Sequence, residues 1–333
     1  MVVGIDNGAT KNNATVLDGS GRFLVGRMYE VPSRVNEGPT AAIEAMAQTM
    51  DLVLHDAAIG RSQVVAVGLD TPGRASFNGV ISSRGATNFA QPEWWGYDVR
   101  AGLEACIGLP VVYNNDGNAA ALYAHHVHFG ADAARHASVS AIVGTGLGGG
   151  VIEGGVAIRG AAGQAGEVGH IHLQTEGLLA DGQPMPTCAC GNSADVESIA
   201  SLTGIVRNLL PYWLTRHPDH PLAAMPIGQA ASEVRAYGVK GDEMALAVFA
   251  QQAMALGRLF TIAANFTDPS AYFVGGGVVE AAPHFRDWFL DQVRVHTALR
   301  EEQAAVAVFA LVPDLDMAGA RGSALAALAS VAP

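Results

Sequence analysis

The chain has 333 residues, 50% of them hydrophobic and 15% charged, with a formal net charge of −12. That is enough apolar material for a large core shared between two domains or lobes. The acidic balance argues against a nucleic-acid or anionic-membrane surface, and three cysteines, Cys106, Cys188 and Cys190, are too few for a disulfide scaffold, so a reduced, cytoplasmic chain is expected.

Residues 2–7 and 13–18 read as strands around the turn Asn7-Gly8-Ala9-Thr10-Lys11, with a third strand over 22–31. No leader is expected before Gly4, because the chain begins directly in a strand. Helical spacing of Ile43, Met46, Met50 and Leu54 predicts a helix over about 40–58. Val64–Leu69 reads as a short buried strand ending at Asp70-Thr71-Pro72-Gly73, Val99–Ile107 as a helix, and Val111–Tyr113 as a strand running into Asn114-Asn115-Asp116. Ala119–Phe129 follows as a helix. Strand and helix then alternate as in a mixed sheet covered by helices.

From Ser138 the order restarts. Ala141-Ile142-Val143, the turn Gly144-Thr145-Gly146 and the run Leu147–Ile152 form a second hairpin of the same kind as the first. Glycine lets such turns adopt positive φ and come close to a ligand. Two such hairpins would present N–H and hydroxyl donors to one polyphosphate, although either alone also reads as an ordinary hairpin. Neither spells a Rossmann or Walker A fingerprint. Only two lysines occur, and one of them, Lys11, lies in the first turn. Leu178–Thr187 is a polar loop, and helices are expected at about 195–214, 227–237 and 242–266. A strand at Ala271–Val274 ends in Gly275-Gly276-Gly277, and Ala305–Leu311 and Ala318–Ala329 close the chain as strand and helix. No apolar run reaches the ~18 residues of a membrane helix.

Asp116 sits where a strand gives way to a helix, a position at which α/β clefts open. An acid there is by itself more often a helix cap. Asp6, ending the first strand, could hold Mg²⁺ through water or only bond turn amides. His170, Cys188, Cys190 and the nearby Asp195 could make a tetrahedral Zn²⁺ site, while buried cysteines also serve as small hydrophobes. His125, His126 and His128 lack an accompanying acid and read as surface or interface histidines, and Trp94-Trp95 as packing residues in a loop.

Taken together these motifs resemble the ROK family of sugar kinases, within the actin-like ATPase superfamily, over almost the whole chain. Asp6-Asn7-Gly8-Ala9-Thr10-Lys11 is similar to the family's Asp-x-Gly-Gly-Thr-Lys motif, with Ala9 in place of a glycine. Asn115-Asp116-Gly117-Asn118-Ala119-Ala120 is similar to Asn-Asp-Ala-Asn-x-Ala, and Gly144–Gly150 to the second phosphate motif. Glu167-Val168-Gly169-His170 matches Glu-x-Gly-His. Cys188-Ala189-Cys190-Gly191 with Asp195 and Glu197 resembles Cys-x-Cys-Gly-x-x-Gly-Cys-x-Glu, with Ala194 and Asp195 replacing the glycine and the third cysteine. Asn265, Asp268-Pro269 and Gly275-Gly276-Gly277 resemble the adenosine-side segment.

The resemblance implies an α/β fold of two actin-like, ribonuclease H-like lobes, each a mixed sheet flanked by helices, with an interlobe cleft. Residues 1–117 would form the first lobe, joined by a helix at about 318–333, and residues 118–317 the second. It implies phosphoryl transfer from ATP with Mg²⁺ to a hexose, glucose above all, at O6. Asp116 would be the general base and Asp6 would order the magnesium and its waters. Gly8, Thr10, Lys11, Gly144, Thr145, Gly146, Gly275 and Gly276 would hold the nucleotide. Asn88, Asn115, Asp116, Glu167, His170 and Glu197 would bind sugar, and His170, Cys188, Cys190 and Asp195 a structural zinc. A homodimer is the family habit, with no nucleic-acid or membrane partner. Two alternatives stay open: a kinase of the same fold for fructose, mannose, an N-acetylhexosamine or a polyphosphate donor, and a non-catalytic sugar sensor.

Overall fold

The computed structural model describes residues 1–73, 78–82 and 89–331. The chain forms two compact units, one comprising Met1–His136, Gly150–Gly166 and Val312–Pro333, the other Ala137–Gly149 and Glu167–Leu311.

In the first unit, β1 (Val2–Asn7) and β2 (Lys11–Leu17) pair as an antiparallel hairpin, with Asn7 opposite Asn12. A short β3 (Val31–Pro32) flanks β2, while β4 (Ala66–Thr71) and β5 (Val111–Asn115) extend the sheet in parallel. The strand order is β3-β2-β1-β4-β5. Val3 and Ile5 point to the face covered by α1 (Pro39–Asp56) and α2 (Val99–Ile107), where Met46, Met50, Val53, Leu103 and Ile107 complete the main core. Helix α1 forms because its apolar residues recur at helical spacing behind a proline at its first position. Helix α3 (Asp116–Phe129) follows β5 directly.

The opposite face is covered by a helix drawn from the far end of the chain, Leu315–Val331, whose Ala324 and Ala327 bury Val2 and Leu17. It packs at backbone distance. A Cβ placed on Gly68 would lie 1.9 Å from the Ser323 carbonyl oxygen, and one on Gly322 would lie 1.7 Å from that of Ala119. Only glycine fits these two crossings.

In the second unit, β6 (Ala137–Val143) leads through the Gly144–Gly146 turn into β7 (Leu147–Glu153), whose last residues run into the first unit and pair with β8 (Val156–Ala157). β9 (Ala271–Gly276) and β10 (Val308–Leu311) are parallel to β6, giving the order β10-β9-β6-β7-β8. Around them lie α4 (Glu197–Ala200), α5 (Leu202–Gly204), α6 (Leu210–Arg216), α7 (Ile227–Val239), α8 (Glu243–Thr267), α9 (Pro283–Val295) and α10 (Glu301–Ala304). The Leu315–Val331 helix is α11. Asp242 caps α8 by accepting from the Ala245 amide at 2.9 Å. By length and composition α8 is apolar enough to cross a membrane, but most of its apolar stretch is buried inside this unit, as in a core helix.

Three expectations change. Most of the segment 22–31 is not a strand: before Val31 pairs with Asn12, it has one backbone bridge to β2, Leu17 to Phe23, and Tyr29 turns its amide to Asn13 Oδ1 and its hydroxyl to Asp56. Side-chain partners have replaced a ladder there. The helix expected over 195–214 is broken at Ser201, whose hydroxyl caps α5 by accepting from the Gly204 amide, and it passes through a widened π turn at Ile205–Leu209. His125 is not at the surface. It is fully buried, Nε2 lies 2.9 Å from the Ala133 carbonyl oxygen, and burial pulls its pKa down to about 4. Trp94 is a packing residue as expected, with its ring N–H on the Val35 carbonyl.

Candidate active site

In the first unit the carboxyl ends of three parallel strands set one row of polar residues. Asp6 pairs in register with Asp70, and Asp70 with Asn114. Asp70 is fully buried and accepts a 2.8 Å hydrogen bond from Ser323 Oγ of α11. Burial, then the charge of Asp6, holds the Asp70 carboxyl well above the ordinary aspartate range. Burial also raises Asp6, against a hydrogen bond from Asp70 that lowers it. The Asp6 carboxylate has room only because Gly319 of α11 faces it: a Cβ there would lie 2.9 Å from Asp6 Cγ.

Asn115 caps α3, its Oδ1 accepting from the Gly117 amide at 2.9 Å while its Nδ2 donates to the Gly73 carbonyl. The cap is thus supplied by Asn115, and Asp116 stands one residue inside, half-buried, with Oδ1 2.7 Å from the Gly117 amide. The negative charge of Asp116 acts on Asp70, which puts three carboxyls in one electrostatic neighbourhood. Arg159, half-buried, donates from Nη2 to Asn114 Oδ1 at 3.2 Å. In the first turn the Gly8 amide donates to the Lys11 carbonyl at 2.9 Å, and a Cβ on Gly8 would crowd that oxygen at 2.9 Å. Thr10 and Lys11 are exposed, and Lys11 is paired with Glu30. Asn88 lies outside the described residues.

In the second unit the Gly144 amide donates to the Gly146 carbonyl at 2.9 Å and closes the β6–β7 turn. Thr145 is held from behind by Thr203, whose amide and hydroxyl both donate to its carbonyl. Gly275 and Gly276 end β9 beside β6, and Gly276 has φ of 93° with no space for a Cβ, since one would lie 2.1 Å from the Val143 carbonyl. Glu167 is half-buried and its carbonyl accepts from the His170 amide.

The four residues proposed as metal ligands come together. One ligand atom from each of His170, Cys188, Cys190 and Asp195 lies within 4.8 Å of the others. His170 Nδ1 is 3.2 Å and Cys190 Sγ 3.4 Å from Asp195 Oδ2. Burial acts to raise the Asp195 pKa, but hydrogen bonds from His170, the Ser198 amide and both thiols outweigh it and hold it at about 2. Burial pushes the Cys188 thiol up. One nitrogen, two sulfurs and an ionised carboxylate oxygen converging in this way suit tetrahedral zinc. Ala194 takes left-handed φ of 56°, where a glycine would be unstrained.

Asp70 was not singled out from the sequence, although its place at a strand end before Thr71-Pro72-Gly73 was a usable signal. The folded chain keeps a proton on Asp70 above pH 3.8, where an unfolded aspartate loses its own. The native state therefore binds more protons over that window, and stability falls as pH rises through it. Asp70→Asn keeps an acceptor for Ser323 and removes the penalty. Its melting temperature should exceed that of the parent at pH 7 by about 2 °C or more, with the gap closing below about pH 4. Paired calorimetry at both pH values checks this, and a gap that does not change with pH contradicts it.

Comparison with known proteins adds four findings. The ROK family model matches residues 2–330. The chain is 30% identical over 298 residues to a glucokinase of Halalkalibacterium halodurans, covering 88% of this chain and 84% of that one. It is 28% identical over 326 residues to an N-acetylmannosamine kinase of Escherichia coli, covering 97% of each. Among solved structures, a ROK family glucokinase from Streptomyces griseus in complex with glucose and AMPPNP superposes with a TM-score of 0.70 at 28% identity, covering 98% of both chains.

Proposed function

We propose, since the chain belongs to the ROK family, that it is an ATP-dependent hexose kinase that phosphorylates glucose at O6. The observation that carries this reading is Asp116 at the carboxyl end of β5, next to a separate capping residue and with its charge acting on the buried Asp70. Phosphoryl transfer passes through a loose transition state, so catalysis rests on positioning and on charge stabilisation. In the first unit Asp116 accepts the proton of the attacking hydroxyl, Asn115 bonds the sugar, and Asp6 would hold Mg²⁺. Gly8, Thr10 and Lys11 offer amide, hydroxyl and ammonium donors to phosphate. In the second unit Gly144, Thr145, Gly146, Gly275 and Gly276 offer a backbone surface to the nucleotide, while Glu167, His170 and Glu197 meet sugar hydroxyls. The magnesium, when bound, supplies neutralisation of phosphate charge.

The position of the new phosphate, read by NMR of the product, tests the reading: a 6-phosphate is expected, and phosphate on any other carbon contradicts it. The likeness to an N-acetylmannosamine kinase favours one second reading, an N-acetylhexosamine acceptor. It is distinguished by comparing kcat/KM for glucose and N-acetylmannosamine.

His170, Cys188, Cys190 and Asp195 would hold one zinc per chain, which would fix the loop between Cys188 and Glu197. Elemental analysis of protein purified without chelator should find about one equivalent. Less than about a tenth of an equivalent contradicts the site, because structural zinc is bound as part of folding.

A further inference from the structure

The side chain of Glu197 is already engaged by protein. Its Oε2 accepts a hydrogen bond from the Leu147 amide at 2.8 Å, at the point where the Gly144–Gly146 turn enters β7. The same oxygen lies so near Gly146 that a Cβ on that residue would sit 2.6 Å from it. Oε1 accepts from the Cys188 thiol at 3.3 Å. Glu197 opens α4, and the next turns of the chain bond the carbonyls at the start of the same turn. The Leu202 amide donates to the Gly144 carbonyl at 3.0 Å, and the Thr203 amide and hydroxyl donate to the Thr145 carbonyl at 3.1 and 2.8 Å. The Ser201 hydroxyl ties this segment back to the Glu197 carbonyl at 2.7 Å.

We infer that Glu197 is a positioning residue for nucleotide: its carboxylate is a strut that fixes the Gly144–Leu147 turn to the start of α4. The inference rests on the reading of that turn as a phosphate-binding element. A carboxylate is suited to the task. It accepts from a backbone amide with the added strength of a charged acceptor. A turn of Gly-Thr-Gly has little side-chain packing of its own, so its shape depends on what is bonded to it. Gly144 and Thr145 themselves stay exposed, which leaves the tip of the turn to receive phosphate. Glu197 therefore acts on nucleotide through Leu147, apart from any direct contact with sugar.

The two roles separate in a binding experiment without sugar. Titration of the intact protein with Mg²⁺ and AMPPNP, a non-hydrolysable ATP analogue, gives the nucleotide Kd alone. Glu197→Ala should weaken that Kd by about tenfold or more, as for loss of one hydrogen bond to a charged group. Glu197→Gln keeps an oxygen for the Leu147 amide and should stay within about threefold of the parent, while its KM for sugar rises. Amide hydrogen exchange provides a second readout: in Glu197→Ala the Leu147 amide should lose protection while the amides of β6 keep theirs. Parent-like nucleotide affinity and Leu147 protection in Glu197→Ala, with only the sugar KM raised, would overturn the strut. So would a nucleotide Kd in Glu197→Gln as weak as in the alanine variant. A parent protein that does not bind AMPPNP would overturn the phosphate-turn reading itself, and the strut with it.

Discussion

Asp116→Ala should lower kcat by at least about 10²-fold, the ordinary consequence of removing a general base, while sugar affinity changes much less. The helix start should survive, because its capping bond belongs to Asn115 and not to Asp116. Stability should not fall either. The Asp116 charge acts against Asp70, and its removal relieves a repulsion inside a buried carboxyl cluster. A loss of activity can therefore be read as lost chemistry and not as lost fold, provided the melting temperature is followed alongside. Steady-state kinetics with saturating sugar and ATP make the measurement. A variant that keeps near-parental kcat removes Asp116 from the mechanism.

Gly322→Ala should produce the largest loss of stability from a single methyl group. Helix propensity alone would favour alanine by roughly 1 kcal/mol. Against this stands the 1.7 Å separation between the new carbon and the Ala119 carbonyl oxygen, a backbone atom that cannot rotate away. Overpacking of a tight core costs typically 1–3 kcal/mol and more when backbone must shift, so the steric effect wins. A net loss on the order of 2 kcal/mol is expected, or about 4 °C or more in melting temperature. Because α3 begins at Asp116 and packs on α11, the same shift should also reduce kcat. Gly228→Ala in α7 is the control, since nothing lies within 4 Å of its would-be Cβ. It should be neutral or slightly stabilising. Equal melting temperatures for the two variants would contradict the packing argument.

The strand ends and turns that carry the proposed chemistry were legible because they obey local rules. Apolar runs of strand length ending in Asp6, Asn115-Asp116 and the Gly144–Gly146 turn mark where β1, β5 and β6 stop. The convergence of His170 with Cys188, Cys190 and Asp195 was also within reach, since all four fall within 26 residues of one another along the chain. Less legible were features set by distant contacts. Asp70 takes its character from Ser323, 253 residues away in sequence, and from Asp6 on the neighbouring strand. Nothing in the local pattern announces that pairing. The packing of α11 against β1 and β4 depends on Gly4 and Gly68, and its packing against α3 on Gly322, each of which reads locally as a weak spot in a strand or helix. Helix α9 passed unnoticed, although Pro283 stands at its first position and Phe285, Phe289 and Val293 recur every four residues. Residues 22–31 looked like a strand because Phe23, Leu24 and Val25 are apolar. Gly26 and the polar side chains of Arg27 and Tyr29 divert that segment instead toward Asp56.

The most direct test of the proposed activity is hexose-dependent release of ADP, measured in a coupled assay with Mg²⁺-ATP over a panel of glucose, mannose, fructose, N-acetylglucosamine and N-acetylmannosamine. The account predicts one ADP released per sugar phosphorylated, with glucose giving the highest kcat/KM and Asp116→Ala abolishing most of the signal. ADP release that no sugar raises above the rate with ATP alone would contradict it.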